Sequence, residues 1–171
     1  MPIRQAYRLC PDGIYLHGHY KEYERMSRLV RELLTKYAPQ IQQASIDEFY
    51  LDFTGCLNND EEYYQLAKFL QDEIEKRLSL PCSIGIGSNK TIAKIASDFK
   101  KPKGIMLVPY GKEKDFLAPL PISVIPGVGK VMLKELNEKG FYKVEDIAKL
   151  PQDYFSISLG KNGIDLWEKA N

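Results

Sequence analysis

The chain has 171 residues, room for one ordinary domain or a domain with a small satellite. Its make-up, 44% hydrophobic, 27% charged and 11% aromatic at a net charge of +1, is that of a globular protein and excludes a disordered or fibrous one. No apolar run is as long as a membrane span, the opening Met1-Pro2-Ile3-Arg4-Gln5 has no signal-peptide core, and the three scattered cysteines Cys10, Cys56 and Cys82 match neither a zinc spacing nor a disulfide framework, so the expectation is a cytoplasmic protein with ordinary buried thiols and no membrane partner.

In chain order, residues 2–9 read as a short helix closed by Cys10-Pro11-Asp12-Gly13, and Ile14-Tyr15-Leu16 as a strand. Apolar residues at Tyr20, Tyr23, Met26, Val30, Leu33, Leu34 and Tyr37 have helical period and end at Pro39. Two strands follow around Asp47-Glu48, closed by Gly55. Asp60 is the expected N-cap of a helix that runs to about Leu78, with Tyr64, Ala67, Leu70, Ile74 and Leu78 facing the core. Residues 82–86 read as a buried strand, Ser88 as the cap of a helix over 89–99, and 105–108 as another strand. Prolines 109, 119, 121 and 126 then punctuate short helices over 112–118, 129–139, 144–150 and 163–170, with no further strand. The predicted class is α+β, a mixed part over residues 1–100 followed by an all-helical part over 101–171.

Charge is also uneven along the chain. Residues 1–87 hold ten Lys or Arg against thirteen Asp or Glu, whereas residues 88–171 hold fourteen Lys against ten acids. Seven of those lysines lie between Ser88 and Lys114. Such a block is either a solvated face or an electrostatic footprint for phosphates.

Three constellations can carry chemistry. Around Asp47-Glu48 the apolar positions change parity, from Ala44 and Ile46 to Phe49, Leu51 and Phe53, which implies a tight turn or bulge there. That slip would gather Ser45, Asp47, Glu48, Tyr50 and Asp52 on one polar face. Neighbouring carboxylates repel unless a cation lies between them, and hard oxygens suit Mg²⁺; a solvated hairpin tip is the competing reading. In Gly85-Ile86-Gly87-Ser88-Asn89-Lys90 a strand turns into a helix whose N–H groups and lysine can face an anion. It is not a Walker A loop, and on its own a plain strand-to-helix turn capped by Ser88 is the better explanation. Ile125-Pro126-Gly127-Val128-Gly129-Lys130, followed by Leu133, Leu136 and Gly140, has the helix-hairpin-helix pattern. Its glycines would present backbone N–H groups to a DNA phosphate without reading sequence, a reading favoured here over a simple αα-hairpin.

Taken jointly and in order, Ala44-Ser45-Ile46-Asp47-Glu48-Phe49-Tyr50-Leu51-Asp52, the Ser83 to Ser97 segment, Lys101-Pro102-Lys103-Gly104 and the Pro-Gly-Val-Gly hairpin resemble the Y-family translesion DNA polymerases, and more closely the polymerase IV branch. The resemblance covers essentially the whole chain. It implies a palm, with a mixed or antiparallel sheet and helices on one face, and a small helical thumb. It implies that Asp47 and Glu48 serve catalysis by holding Mg²⁺, two ions in the complete enzyme. It also implies that Lys90 contacts the incoming deoxynucleoside triphosphate and that Gly127, Val128, Gly129 and Lys130 hold primer–template DNA. A sliding clamp would join through further C-terminal parts. The family's opening palm strand with another metal-binding Asp, the fingers and the little finger have no counterpart here, so the chain is expected to be a palm–thumb piece inactive alone. The alternative is a non-enzymatic module that binds the DNA backbone through the helix-hairpin-helix.

Overall fold

The structure, a computed structural model, describes residues 1–171. It begins with α1 (Ile3–Leu9), which buries none of its residues. The Tyr15 hydroxyl donates to the Cys10 carbonyl at 2.7 Å. The strand expected over Ile14-Tyr15-Leu16 does not form: these residues pair with no other backbone, and Ile14 is 90% exposed. Their β-branched and apolar character is a propensity only, and a strand needs a partner ladder. Two of the cysteines expected to be buried, Cys10 and Cys56, are exposed; Cys82 is half-buried.

Helix α2 (Tyr20–Thr35) follows the apolar period and turns Leu33 and Leu34 inward. The hairpin of β1 (Gln40–Gln43) and β2 (Phe49–Asp52) pairs antiparallel, with Ile41 opposite Leu51 and Gln42 opposite Tyr50. The first strand therefore lies upstream of its expected place. Ala44 and Ile46 belong to the connection, so the parity change is a loop and not a bulge. In α3 (Asp60–Leu78) the cap is Asn59, one residue before the expected Asp60; its Oδ1 accepts the Glu62 N–H at 3.0 Å. Ala67, Leu70, Gln71 and Ile74 are buried, while Tyr64 points to solvent. Leu33, Leu34, Leu70 and Ile74 form a core against Ile41, Phe49, Leu51 and Phe53, so two helices cover one face of the hairpin.

A βαβ unit follows: β3 (Ile84–Ile86), α4 (Lys90–Phe99) and β4 (Ile105–Leu107), with β3 and β4 parallel. The expected mixed sheet is thus two separate two-stranded sheets, one antiparallel and one parallel. Asn89, not Ser88, caps α4 by accepting the Ile92 N–H at 3.0 Å. The helix lies directly on its strand: a Cβ on Gly85 would meet the Ala93 carbonyl oxygen at 1.9 Å, and one on Gly87 the Ile92 Cγ2 at 2.5 Å.

The remainder is helical: α5 (Glu113–Leu117), a 3-10 turn (Ile122–Val124), α6 (Lys130–Glu138), α7 (Val144–Ala148), α8 (Gln152–Leu159) and α9 (Lys161–Ala170). Helix α8 has no counterpart among the expected elements, because its apolar residues do not form one stripe. Phe155 is fully buried but Ile157 is 87% exposed. A core of thirteen buried residues joins Ile92, Ile95 and Ala96 of α4 to Leu117, Ile122, Leu136, Val144, Ile147, Phe155 and Leu166. The division at residues 100 and 101 therefore falls between α4 and β4, and α4 packs with the helical part. No helix is long and apolar enough to cross a membrane.

These contacts predict that Gly85→Ala destabilises the chain by about 3 kcal/mol or more, the cost of forcing backbone apart in a packed interior. Gly129 has an ordinary φ of −82° and open space around it, so Gly129→Ala should leave stability unchanged. Urea unfolding of both variants checks the contrast; equal midpoints would contradict it.

Candidate functional site

Period-two geometry decides which hairpin residues meet the βαβ unit. The odd positions of β2, Phe49 and Leu51, are half-buried against α2 and α3, so Glu48, Tyr50 and Asp52, with Gln42 across the ladder, take the other face. That face meets the start of α4. The Lys94 ammonium donates to Glu48 Oε1, and the Lys90 ammonium to Gln42 Oε1. Lys90 Nζ also lies 5.8 Å from the centroid of the Tyr50 ring, a cation–π arrangement. The two lysines are four residues apart, hence on one side of the helix. The bond to Glu48 holds the Lys94 ammonium above its ordinary pKa, against opposing desolvation. Asp52 is held below the usual carboxylate range, first by the Thr54 side chain, then by the Thr54 N–H at 2.9 Å, with the charge of Lys90 assisting.

Asp47 sits in the connection and not on the strand. Its Oδ1 accepts the Ser45 hydroxyl at 2.7 Å. The two expected metal ligands thus have different partners, Ser45 for Asp47 and Lys94 for Glu48. Both offer the hard oxygens that suit Mg²⁺, together with open positions for water or phosphate. No group of three or more His, Cys, Asp or Glu arranged to hold a metal occurs in the chain. Two carboxylates fit part of a Mg²⁺ site and no more.

The glycines before α4 serve the packing of the helix on its strand, in keeping with a plain capped turn. The helix end still has anion-binding capacity, since the N–H groups of Lys90 and Thr91 have no acceptor. Lys101, Lys103 and Lys114 line the same cleft as Asp47, Glu48 and Lys90.

The second site lies at the start of α6. Ile125 precedes Pro126, Gly127 reverses the chain at φ +101°, and Gly129 caps the helix through its backbone alone. The Val128 N–H is used by Ile125 and the Gly129 N–H by Gly127, each at 3.1 Å. The N–H groups of Lys130, Val131 and Met132 have no acceptor, and Lys130 is exposed. Three free donors at a positive helix end, beside a lysine, are groups of the kind that bind anions.

Residues 1–98 match the impB/mucB/samB family. The chain belongs to that family. Residues 110–141 match the IMS family HHH motif, which spans the Gly127 turn and α6. DNA polymerase IV 2 of Methanosarcina mazei is 42% identical over 171 residues, 100% of this chain and 46% of that protein. DNA polymerase IV of Lactococcus lactis subsp. cremoris is 39% identical over 171 residues, 47% of its length. The crystal structure of DinB from Sulfolobus solfataricus superposes with a TM-score of 0.90 at 35% identity, covering 99% of this chain and 50% of that one. A Dbh ternary complex gives a TM-score of 0.87 at the same 35% identity, covering 99% of this chain and 51% of that one. The chain spans about half the length of the curated relatives it matches.

Within this impB/mucB/samB member, the partner of Glu48 is the residue that sequence reasoning underused. Lys94 was visible only as a second lysine one turn beyond Lys90, and nothing local tied it to a hairpin 46 residues away. The raised pKa fixes the sign of one prediction. The Lys94–Glu48 contact is fully present below the ordinary lysine pKa and is lost as pH rises through the raised value. In Glu48→Gln, the Lys94 titration followed by NMR at Cε should move down toward the ordinary value; an unmoved titration would show that the pair does not form.

Proposed function

We propose that these residues are the palm and thumb part of a DNA-directed DNA polymerase of the translesion, polymerase IV type, with residues 1–100 as partial palm and 101–171 as thumb. The observation that carries this reading is the meeting of Glu48 and the Asp47 loop with the lysines of α4, in a chain that also carries free N–H donors at the α6 hairpin. One site suits metal and triphosphate; the other suits the backbone of a duplex. The names of the relatives and the helix-hairpin-helix match support it.

In this reading Asp47 and Glu48 would hold Mg²⁺, which supplies Lewis-acid stabilisation and a more acidic primer hydroxyl at a phosphoryl-transfer site. Lys90, held by Gln42 and Tyr50, would contact a triphosphate beside the hairpin. Lys94 neutralises Glu48 and keeps the carboxylate fixed until phosphates and metal share the cleft. Gly127, Val128 and Gly129 shape the turn, their expected contact with DNA narrowed because the Val128 and Gly129 N–H groups are already bonded, and Lys130 with the N–H groups of Val131 and Met132 would hold a DNA phosphate, positioning the duplex without reading its sequence. Translesion synthesis as part of DNA repair is the process this chemistry would serve.

Two carboxylates are a thin donor set for two ions, so the 171-residue chain alone should give no templated incorporation with Mg²⁺ in primer extension, even at enzyme excess. Incorporation by it would contradict the reading. A longer protein carrying these residues should extend primers, and Glu48→Gln or Asp47→Asn in it should reduce extension to background. Unchanged extension in those variants would leave the chain a DNA-backbone-binding module.

Duplex binding tests the thumb separately. Lys130→Met should weaken binding alike on all sequences and lower the slope of log affinity against log salt by about one. Gly129→Ala should weaken it several-fold with stability intact, since its new methyl group lies where the phosphate sits. Wild-type affinity in both variants would contradict the assignment of this turn.

A further inference from the structure

Helix α9 reaches back to the glycine turn before α6. The Lys169 ammonium donates to the Pro126 carbonyl at 2.9 Å and to Asp165 Oδ2 at 2.6 Å. No backbone N–H bonds that carbonyl, so Lys169 is its one protein donor. The lysine side chain is only 25% exposed, against 55% for Asp165. Asp165 lies one helical turn before Lys169 and holds the ammonium from the α9 side. A Cβ on Gly127 would lie 3.6 Å from Lys169 Nζ and 3.7 Å from Asp165 Oδ2, so this ion pair roofs the point where the chain reverses.

We infer that Lys169 is a positioning residue for the DNA-phosphate site, clamping the Pro126-Gly127 turn to α9 so that the N–H groups of Lys130, Val131 and Met132 stay aimed at one phosphate. The inference rests on the reading of that turn as a DNA-backbone site. Gly127 adopts φ +101°, a conformation that glycine tolerates but does not enforce. The turn has two short backbone bonds of its own, Val128 to Ile125 and Gly129 to Gly127. The first closes a β-turn centred on Pro126 and Gly127, but neither bond engages the Pro126 carbonyl or ties the turn to α9, and Pro126 has no N–H to contribute. The ammonium supplies that restraint from an element about forty residues later in the chain. A charged donor on a carbonyl is the stronger kind of hydrogen bond, and Asp165 reduces the freedom of a long side chain to leave it. Two of the three Lys169 N–H donors go to Pro126 and Asp165 and the side chain is only 25% exposed, so it acts on DNA through the turn and not by touching phosphate.

The test is fluorescence anisotropy with a fluorescein-labelled DNA duplex, at several salt concentrations, on the 171-residue chain and its Lys169→Met, Lys169→Arg, Gly127→Ala and Lys169→Met/Gly127→Ala variants. Lys169→Met keeps the apolar stem and removes the charged donor. It should weaken duplex binding on the order of tenfold, the effect of losing one charged hydrogen bond, with the salt slope unchanged. Lys169→Arg should restore most of the affinity, and the double variant should bind little worse than the weaker single one, because both changes disturb the same turn. A wild-type affinity in Lys169→Met, beside a weakened Gly127→Ala, overturns the clamp and leaves the DNA reading standing. A salt slope reduced by about one in Lys169→Met makes Lys169 a phosphate ligand and also overturns the clamp. A wild-type chain that does not bind the duplex overturns the DNA reading itself and the clamp with it.

Discussion

The seating of α4 on β3 is the contact on which both candidate sites depend. Gly85 and Gly87 have no room for a side chain because the helix backbone and Ile92 occupy the space. That approach fixes the helix start over the hairpin and puts Lys90 and Lys94 against Gln42 and Glu48. The opposite face of α4 supplies Ile92, Ile95 and Ala96 to the core shared with the C-terminal helices. One helix therefore carries the lysines that meet the acidic hairpin on one side and the join to the C-terminal helices on the other. A shift of α4 would move both together, since close-packed interiors transmit displacement and do not absorb it.

Electrostatics explain why an exposed hairpin tolerates adjacent carboxylates. Asp47 is bonded by Ser45 and Glu48 by Lys94, so each acid has its own donor. The lysine-rich block after Ser88 is thus partly directed inward, toward the acids of the first half. Of its other five members, Lys101, Lys103 and Lys114 line the same cleft. The near-neutral net charge conceals this complementarity between an acidic first half and a basic second half.

Most of the fold was legible because period and punctuation agree in this sequence. The apolar stripe of α2, the cap-and-acid start of α3 and the Gly-Val-Gly turn before α6 each state their own structure. What was not legible depended on partners. Ile14-Tyr15-Leu16 has strand composition but no ladder to join. Strand β1 is mostly glutamine and forms because Phe49–Asp52 lies opposite it. Helix α8 is held by Phe155 and by Gly163, where a Cβ would meet the Phe155 carbonyl oxygen at 2.0 Å, and not by an amphipathic stripe. In the candidate site, Asp47, Glu48 and Lys90 stand out by type and spacing in the sequence, whereas Lys94 and Lys169 make contacts 46 and 43 residues away that no local pattern marks.

The account's central claim is that the Asp47–Glu48 hairpin and the start of α4 form one metal-and-triphosphate cleft. Paramagnetic broadening of backbone amide signals by Mn²⁺, added with a deoxynucleoside triphosphate, tests it most directly. The account predicts broadening confined to Ser45, Asp47 and Glu48 and to the first turn of α4 around Lys90, absent in Glu48→Gln. Broadening centred elsewhere, or a pattern unchanged by Glu48→Gln, would contradict it.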